Sequence, residues 1–417
     1  MRAGCILISA YACETGRGGE GEIAWRIVHE LAAVHDVIVI TRANLKDTHA
    51  ASFAVSPQPI GLSFEYYDLP WIFRFYKKGK RFFLLYYYLW QIGVGLQARK
   101  LHRKQKIDVL HHLTGGMDWM PSGLSLCPGP FVWGPVGSED THPVILGHLS
   151  LKSRLKDKLR VAVRWALRNL DPFTRITAER ADVVLSHTPE TLPTRLASKV
   201  LPSTQTGIVD HPSLAKPKAD LSRGERLRLI YAGELKDWKG ARMALDASLK
   251  AFEIGVDADL TVIGDGPLHA EMKVVAQTHP KGNQVRFLGK LRMEQLVQAL
   301  HDSDLLLYPT FHHGLATIVL QAMLTRLPII CIEGDATGRT VGKEAGITVS
   351  LHADEQPAEV LARAIADLAG DEPRRANLAH AAREIALERY AYDALTARIS
   401  KIYLDLAPTI VLNAPQN

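Results

Sequence analysis

Residues 305–330 read LLLYPTFHHGLATIVLQAMLTRLPII, and this stretch decides the architecture. Leu305 to Tyr308 is a short apolar strand that runs into Pro309 and a loop of small residues. A helix starting near Ala316 follows, with Ile318, Val319, Ala322 and Met323 marking its buried face, and Leu327-Pro328 opens another apolar strand. Strands that alternate with helices indicate a parallel sheet covered on both faces.

The alternation extends outward from this segment. Ahead of it lie strand Leu227 to Ala232, a loop at Gly233, helix Ala241 to Phe252, strand Asp259 to Ile263, helix Leu268 to Gln277, strand Val285 to Leu288 and helix Met293 to Leu300. The chain opens in the same way: strand Cys5 to Ala10, a Gly-rich loop, helix Ile23 to Val34 and strand Val37 to Thr41. Further apolar strands are expected at Asp108 to His112, Phe131 to Trp133 and Ala181 to Ser186. Residues 202–226 are rich in Pro, Ser, Lys and Asp and read as a linker. Helical sequence from Pro373 to Leu406 and a loose tail complete the chain. With 417 residues there is length for two domains of about 200 each. The expected fold class is α/β: two doubly wound, Rossmann-like parallel-sheet domains facing a cleft, with ligands at the strand C-termini.

Composition is that of a globular chain, with 47% hydrophobic and 23% charged residues and a mean hydropathy of −0.02. No window offers the roughly 20 apolar residues that a bilayer span needs. Met1-Arg2 leads straight into a strand, not a signal peptide. Cys5, Cys13, Cys127 and Cys331 have neither metal-ligand nor disulfide spacing, so a reducing cytoplasm is expected. Residues 1–205 hold 26 Lys/Arg against 17 Asp/Glu, or +9; the remainder holds 24 against 27, or −3. The excess lies in Arg74 to Arg81 with Arg99 to Lys106, and in Lys152 to Arg168, the first interleaved with aromatics. Solvated basic helix faces are the plain explanation. Peripheral contact with an anionic inner-membrane surface is the second. No nucleic-acid-binding motif accompanies the charge.

Gly16-Arg17-Gly18-Gly19-Glu20-Gly21 follows the first strand and precedes a helix, so its backbone N–H groups could meet an anion there. Gly16, Gly18 and Gly21 fit G-x-G-x-x-G, yet the second strand ends at Thr41-Arg42 and lacks the acid that a dinucleotide ribose requires. No G-x-x-x-x-G-K-[ST] stretch is present, which disfavours a P-loop NTPase. Glu20 and Glu22 suit a cationic or hydroxyl-bearing acceptor, or simply the positive end of their helix.

Several stretches together resemble the retaining glycosyltransferases of family 4, which have the GT-B fold. They are ILISAYACE (6–14), DVLHHLTGGMDWMP (108–121), WGPVG (133–137), GELKDWKG (233–240), VIGDGP (262–267), FLGKL (287–291) and the 305–330 segment. The nearest likeness is to a bacterial exopolysaccharide-type subgroup. The resemblance implies a first domain (1–205) for the acceptor, a linker (206–226), a nucleotide-sugar domain (227–385), and a C-terminal helix (386–417) returning to the first domain. It implies that Lys239 neutralises the leaving diphosphate, with the N–H groups of Gly314, Leu315, Ala316 and Thr317. Gly18, Gly19, Gly264, Lys290 and Leu291 would complete the donor site. One histidine of His111 and His112 would act at the reaction centre, and Asp118, Trp119 and Gly137 would join Glu20 and Glu22 around the acceptor.

Three positions depart from the family pattern. The family's paired carboxylates become His313 and Gln321, and its arginine becomes Glu234. Lys236 or Arg242 could restore the lost charge. The donor sugar, or its contacts, is therefore expected to differ from the usual hexose. No Asp-x-Asp-type metal motif is evident, and the nucleotide sugar is a co-substrate, so no cofactor is expected. The expected activity is transfer from a GDP- or UDP-sugar to a lipid-linked glycan or a small specialised metabolite, such as an antibiotic precursor, an aminosugar or a small thiol. A non-catalytic nucleotide-sugar-binding protein is the other reading. Self-association is left open.

Overall fold

The computed structural model describes residues 4–16, 19–77, 79, 81–138, 151–204, 206–214, 226–311, 314–351 and 355–408. The chain divides into two compact units, one of residues 1–138, 156–205 and 392–417, the other of 206–391 with 139–155.

The first unit is built on seven strands: β1 (Cys5–Ser9), β2 (Asp36–Arg42), β3 (Leu62–Tyr67), β4 (Val109–His112), β5 (Phe131–Val136), β6 (Val183–Ser186) and β7 (Val200–Pro202). All pair in parallel, in the order β3-β2-β1-β4-β5-β6-β7. The central strands are apolar along nearly their whole length because helices cover both faces. Every residue of β4 and β5 is buried, and so are Ile6 to Ser9 of β1. β3 and β7 went unanticipated: they lie at the sheet edges, where burial is incomplete and the apolar signal fades.

The second unit holds six parallel strands: β8 (Leu227–Ala232), β9 (Ala258–Ile263), β10 (Val285–Gly289), β11 (Leu305–Tyr308), β12 (Ile329–Ile332) and β13 (Gly346–Val349). Their order is β10-β9-β8-β11-β12-β13. Helix Ala241–Glu253 lays Ala244, Leu245, Ser248 and Phe252 into the core at helical spacing, and helix Pro357–Ala369 packs beside it. Both units are therefore doubly wound, as the alternation of elements predicts.

Two boundaries differ from expectation. The first helix spans Gly19–Val34, a turn earlier than Ile23, because Glu22 reaches back to accept the Gly16 N–H at 2.7 Å and steadies the entry. The C-terminal helical run is two helices, Glu372–Tyr390 and Tyr392–Leu406. Ala391 breaks them with extended backbone (φ −60°, ψ 142°), where the Ile208 N–H bonds the Tyr390 carbonyl at 2.8 Å. Helix Tyr392–Leu406 belongs to the first unit and packs on helix Gly19–Val34 with Leu395, Ile399 and Tyr403 buried.

Candidate functional site

Each sheet reverses its strand order once, between β1 and β4 in the first unit and between β8 and β11 in the second. Loops leaving such a pair run to opposite faces and open a crevice at the strand C-termini, where α/β sheets take ligands. Most candidate residues lie on these loops.

In the second unit, the loop after β8 makes one turn at Asp237–Lys239 and ends at Gly240, whose φ is +71°. A Cβ on Gly240 would lie 2.0 Å from the Pro309 carbonyl, so only glycine lets the two loops meet. The Phe311 N–H donates to the Trp238 carbonyl at 3.0 Å, and Thr310 Oγ1 donates to the same oxygen at 3.3 Å. From beneath, the buried Tyr231 hydroxyl donates toward the carbonyls of Lys239 (3.1 Å) and Glu234 (3.3 Å). The loop bearing Lys239 is thus stitched to the loop that leads into helix Thr317–Leu324. Ala316 caps that helix in extended conformation and offers no side-chain acceptor, only its carbonyl, which takes the Val319 N–H at 3.0 Å. An anion gains at such an end from both N–H donors and the dipole. Gly314, Leu315 and Ala316 are half-buried and Thr317 is exposed.

The turns after β9 and β10 close up beside this arrangement. Gly264 donates to the Gly289 carbonyl at 2.8 Å, and a Cβ on Gly264 would meet the Gly233 carbonyl at 1.9 Å. Lys290 is exposed and Leu291 half-buried just beyond. Glu234 is ion-paired with Lys236 at 2.5 Å, and the same ammonium lies 5.0 Å from the Trp238 ring centroid. Arg242 pairs with Asp246 at 2.9 Å and with Glu271. Both cations expected to replace the missing arginine are therefore already engaged with carboxylates. Gln321 is buried, its amide donating to Met293 Sδ at 3.3 Å, a weak acceptor. His313 and Gly18 lie outside the described residues.

In the first unit, Glu20 accepts the N–H groups of Gly115 (2.7 Å) and Gly116 (3.2 Å), tying the loops after β1 and β4 together. Ala12 N–H adds a bond to Thr114 Oγ1 at 3.2 Å. Glu22 holds Gly16 and pairs with Arg26 at 3.3 Å; Gly19 is exposed at the helix start. Gly137 is buried, its N–H bonded to the Gly116 carbonyl at 2.9 Å.

The two histidines part company, as alternation along a strand requires. His111 Nε2–H donates to the Gly134 carbonyl at 2.7 Å, which leaves Nδ1 to accept from the Tyr403 hydroxyl. Its ring is committed to fastening the C-terminal helix. Burial pushes its pKa down to about 4. His112 faces the other way, toward the Tyr87 hydroxyl at 3.5 Å, and burial with the neighbouring His111 lowers it to about 3. It is a neutral imidazole at pH 7. Asp118 and Trp119 both lie in the interior. The Asp118 carboxylate is buried and bound by Arg168 at 2.9 and 3.1 Å, and Trp119 sits in the core under Arg164. A buried carboxylate needs a cation, and Arg168 supplies it.

Tyr231 and Met293 were missed by sequence reasoning. A tyrosine in a buried strand needs a partner for its hydroxyl, which was a readable signal; nothing local marks Met293.

The "Glycosyl transferases group 1" family matches residues 214–385. The chain is 25% identical to 2-deoxystreptamine glucosyltransferase of Streptomyces kanamyceticus, over 66% of this chain and 72% of that protein. It is 25% identical to 2-deoxystreptamine N-acetyl-D-glucosaminyltransferase of Streptomyces fradiae, over 73% and 72%. Among solved structures, Anabaena HepE in complex with UDP superposes with a TM-score of 0.56 at 15% identity, over 97% of this chain and 100% of that one.

Proposed function

We propose, starting from a chain that is a GT-B-fold glycosyltransferase related to the group 1 glycosyl transferases, that it moves a sugar from a UDP-sugar to a hydroxyl of a small aminocyclitol. The observation that carries the donor half is the stitching of the Lys239 loop to the start of helix Thr317–Leu324. That arrangement sets a cation-bearing turn beside the start of a helix, a place suited to the charge that builds on a departing diphosphate. Among the supports for UDP is the complex of HepE, similar in fold. The acceptor class rests on the two Streptomyces relatives, whose names specify 2-deoxystreptamine.

The bond from the sugar's anomeric carbon to the diphosphate oxygen breaks as the bond to the acceptor oxygen forms, and the acceptor hydroxyl passes its proton to the departing diphosphate oxygen. The family resemblance implies that attack comes from the leaving-group side, with retention of configuration. In this scheme Lys239 and the amides of Gly314 to Thr317 hold the diphosphate. His112, neutral at pH 7, contacts sugar or acceptor by hydrogen bonding and not by charge. His111 keeps its structural place. Gln321 holds the ribose through its amide once a nucleotide draws it from Met293, and His313 sets the donor sugar. Glu20 lies on the acceptor side, where a carboxylate suits an ammonium-bearing ring.

The test is incubation with UDP-glucose or UDP-N-acetylglucosamine and 2-deoxystreptamine, followed by mass spectrometry of the product. Lys239→Ala should lower turnover about 10²-fold or more with little change in Tm. Transfer only to lipid-linked glycans would replace the acceptor, and full activity of Lys239→Ala would remove that lysine from the mechanism.

A further inference from the structure

Helix Leu151–Leu170 is turned inside out. A helix on a globular domain ordinarily buries its apolar stripe and exposes its charges. Here Leu155, Leu159 and Val163 recur every four positions and Leu170 follows seven further on, a spacing that places them on one face, and they are 71, 66, 49 and 64% exposed. Ala162, also exposed, and Ala166 continue the stripe between them. The polar residues Asp157, Arg164 and Arg168 take the opposite side: Asp157 is buried, Arg164 lies over Trp119 and Arg168 binds Asp118. The ion pair to Asp118 explains the orientation, because rolling the helix over to bury its leucines would strand a buried carboxylate.

The exposed stripe has cationic borders. Lys158 flanks it on one side and Lys156 and Arg160 on the other, all three exposed. Over its twenty residues the helix holds seven Lys or Arg and one acid. A second apolar group adjoins it. Tyr88 donates to Asp171 at 2.8 Å, next to Leu170, and one turn before Tyr88 stand the exposed Leu84 and Leu85. Trp71, Phe75 and Phe82 are exposed in the segment leading into helix Phe83–Lys104, which carries Tyr88, beside Arg74 and Arg81.

We propose that this face docks the protein on a bilayer surface carrying anionic headgroups. An outward apolar stripe with lysines and arginines along both borders is the arrangement that lies in a membrane interface: leucines enter the acyl boundary while ammonium and guanidinium groups meet phosphates. A second copy of the chain would bring the same cations against themselves, and self-repulsion opposes that occupant. Docking is independent of which acceptor the enzyme uses.

The experiment is co-sedimentation of the full chain with vesicles, either phosphatidylcholine alone or phosphatidylcholine and phosphatidylglycerol in equal parts. Binding is expected only to the mixed vesicles and should weaken as salt rises. Lys156→Ala with Lys158→Ala should weaken it roughly 30-fold, at about fivefold per lysine near the surface. Leu159→Gln with Leu170→Gln should lower it at least tenfold, while both double variants keep wild-type transfer to a soluble acceptor and wild-type Tm. Three results would overturn the proposal: no binding to the mixed vesicles, binding that ignores both double variants, or a dimer in sedimentation equilibrium that Leu159→Gln dissociates.

Discussion

Gln321 stands where the family resemblance places a ribose-holding carboxylate, and its surroundings show what the exchange accomplishes. Its amide is buried against a thioether, with no cation bonded to it among the described residues. A carboxylate there would lose hydration with no compensating charge, at a cost above the roughly 1–3 kcal/mol of a neutral buried group. An amide tolerates the empty site, whereas a carboxylate needs the ribose hydroxyls to satisfy it. Gln321→Glu is therefore expected to lower Tm without nucleotide and to bind UDP as tightly as wild type or more so, since ligand that binds only the native state restores stability. A thermal-shift titration with UDP checks both halves; an unchanged Tm with weaker UDP binding would contradict the argument. The same logic separates His111 from His112. One ring has both nitrogens engaged by the protein, and the other faces the Tyr87 hydroxyl at 3.5 Å and the Gly115 backbone.

At the scale of elements, the donor side depends on how closely two loops approach. The turn at Asp237–Lys239 reaches the loop after β11 only because Gly240 adopts a left-handed conformation and has no side chain. Gly240→Ala would add backbone strain of about 1–2 kcal/mol and would also push Pro309 away. The expected outcome is a lower Tm together with a several-fold weaker Kd for UDP, because the Lys239 turn would part from helix Thr317–Leu324. Calorimetric titration of UDP against the variant reads this directly. A variant that loses stability yet binds UDP normally would show the stitch to be structural only. Helix Leu151–Leu170 makes a related point. Its amphipathic pattern is plain, yet which side faces the protein is set by Arg168 and Asp118.

Across the molecule, the last helix returns to the first unit, where it completes the core. Tyr403 is fully buried and bonded to His111, and Ser400 bonds His35 at 2.7 Å. This closure should make stability pH-dependent. The folded pKa of His111, about 4, and of His112, about 3, lie below the value near 6.5 of an unfolded chain. The folded state therefore refuses a proton that the unfolded state accepts. Stability is full above about pH 6.5 and is lost as pH falls from there toward 4, by roughly 2 kcal/mol per histidine at pH 5. Tm measured between pH 7 and pH 5 should fall, and His111→Gln should show a lower Tm at pH 7 with a shallower decline. An equal decline in the variant would exclude His111 as a source.

The elements themselves were legible in the sequence. Parallel strands buried on both faces declare themselves as apolar runs, as β1, β11 and β12 do, because burial imposes the composition locally. The switch-point loops were legible for a similar reason: a strand, a Gly-bearing turn and a helix start are set by short-range backbone sterics. Edge strands β3, β7 and β13 escaped notice because half-burial leaves no continuous pattern. What only the tertiary structure decided is which side chains are already taken. Asp118, Lys236 and Arg242 look available in one dimension, yet Arg168, Glu234, Asp246 and Glu271 claim them. His111 and Tyr403 are 292 positions apart. Periodicity and turn chemistry arise from neighbours along the chain, so sequence carries them; the pairing of a buried charge or imidazole is settled by neighbours in space, and only the folded chain can choose them.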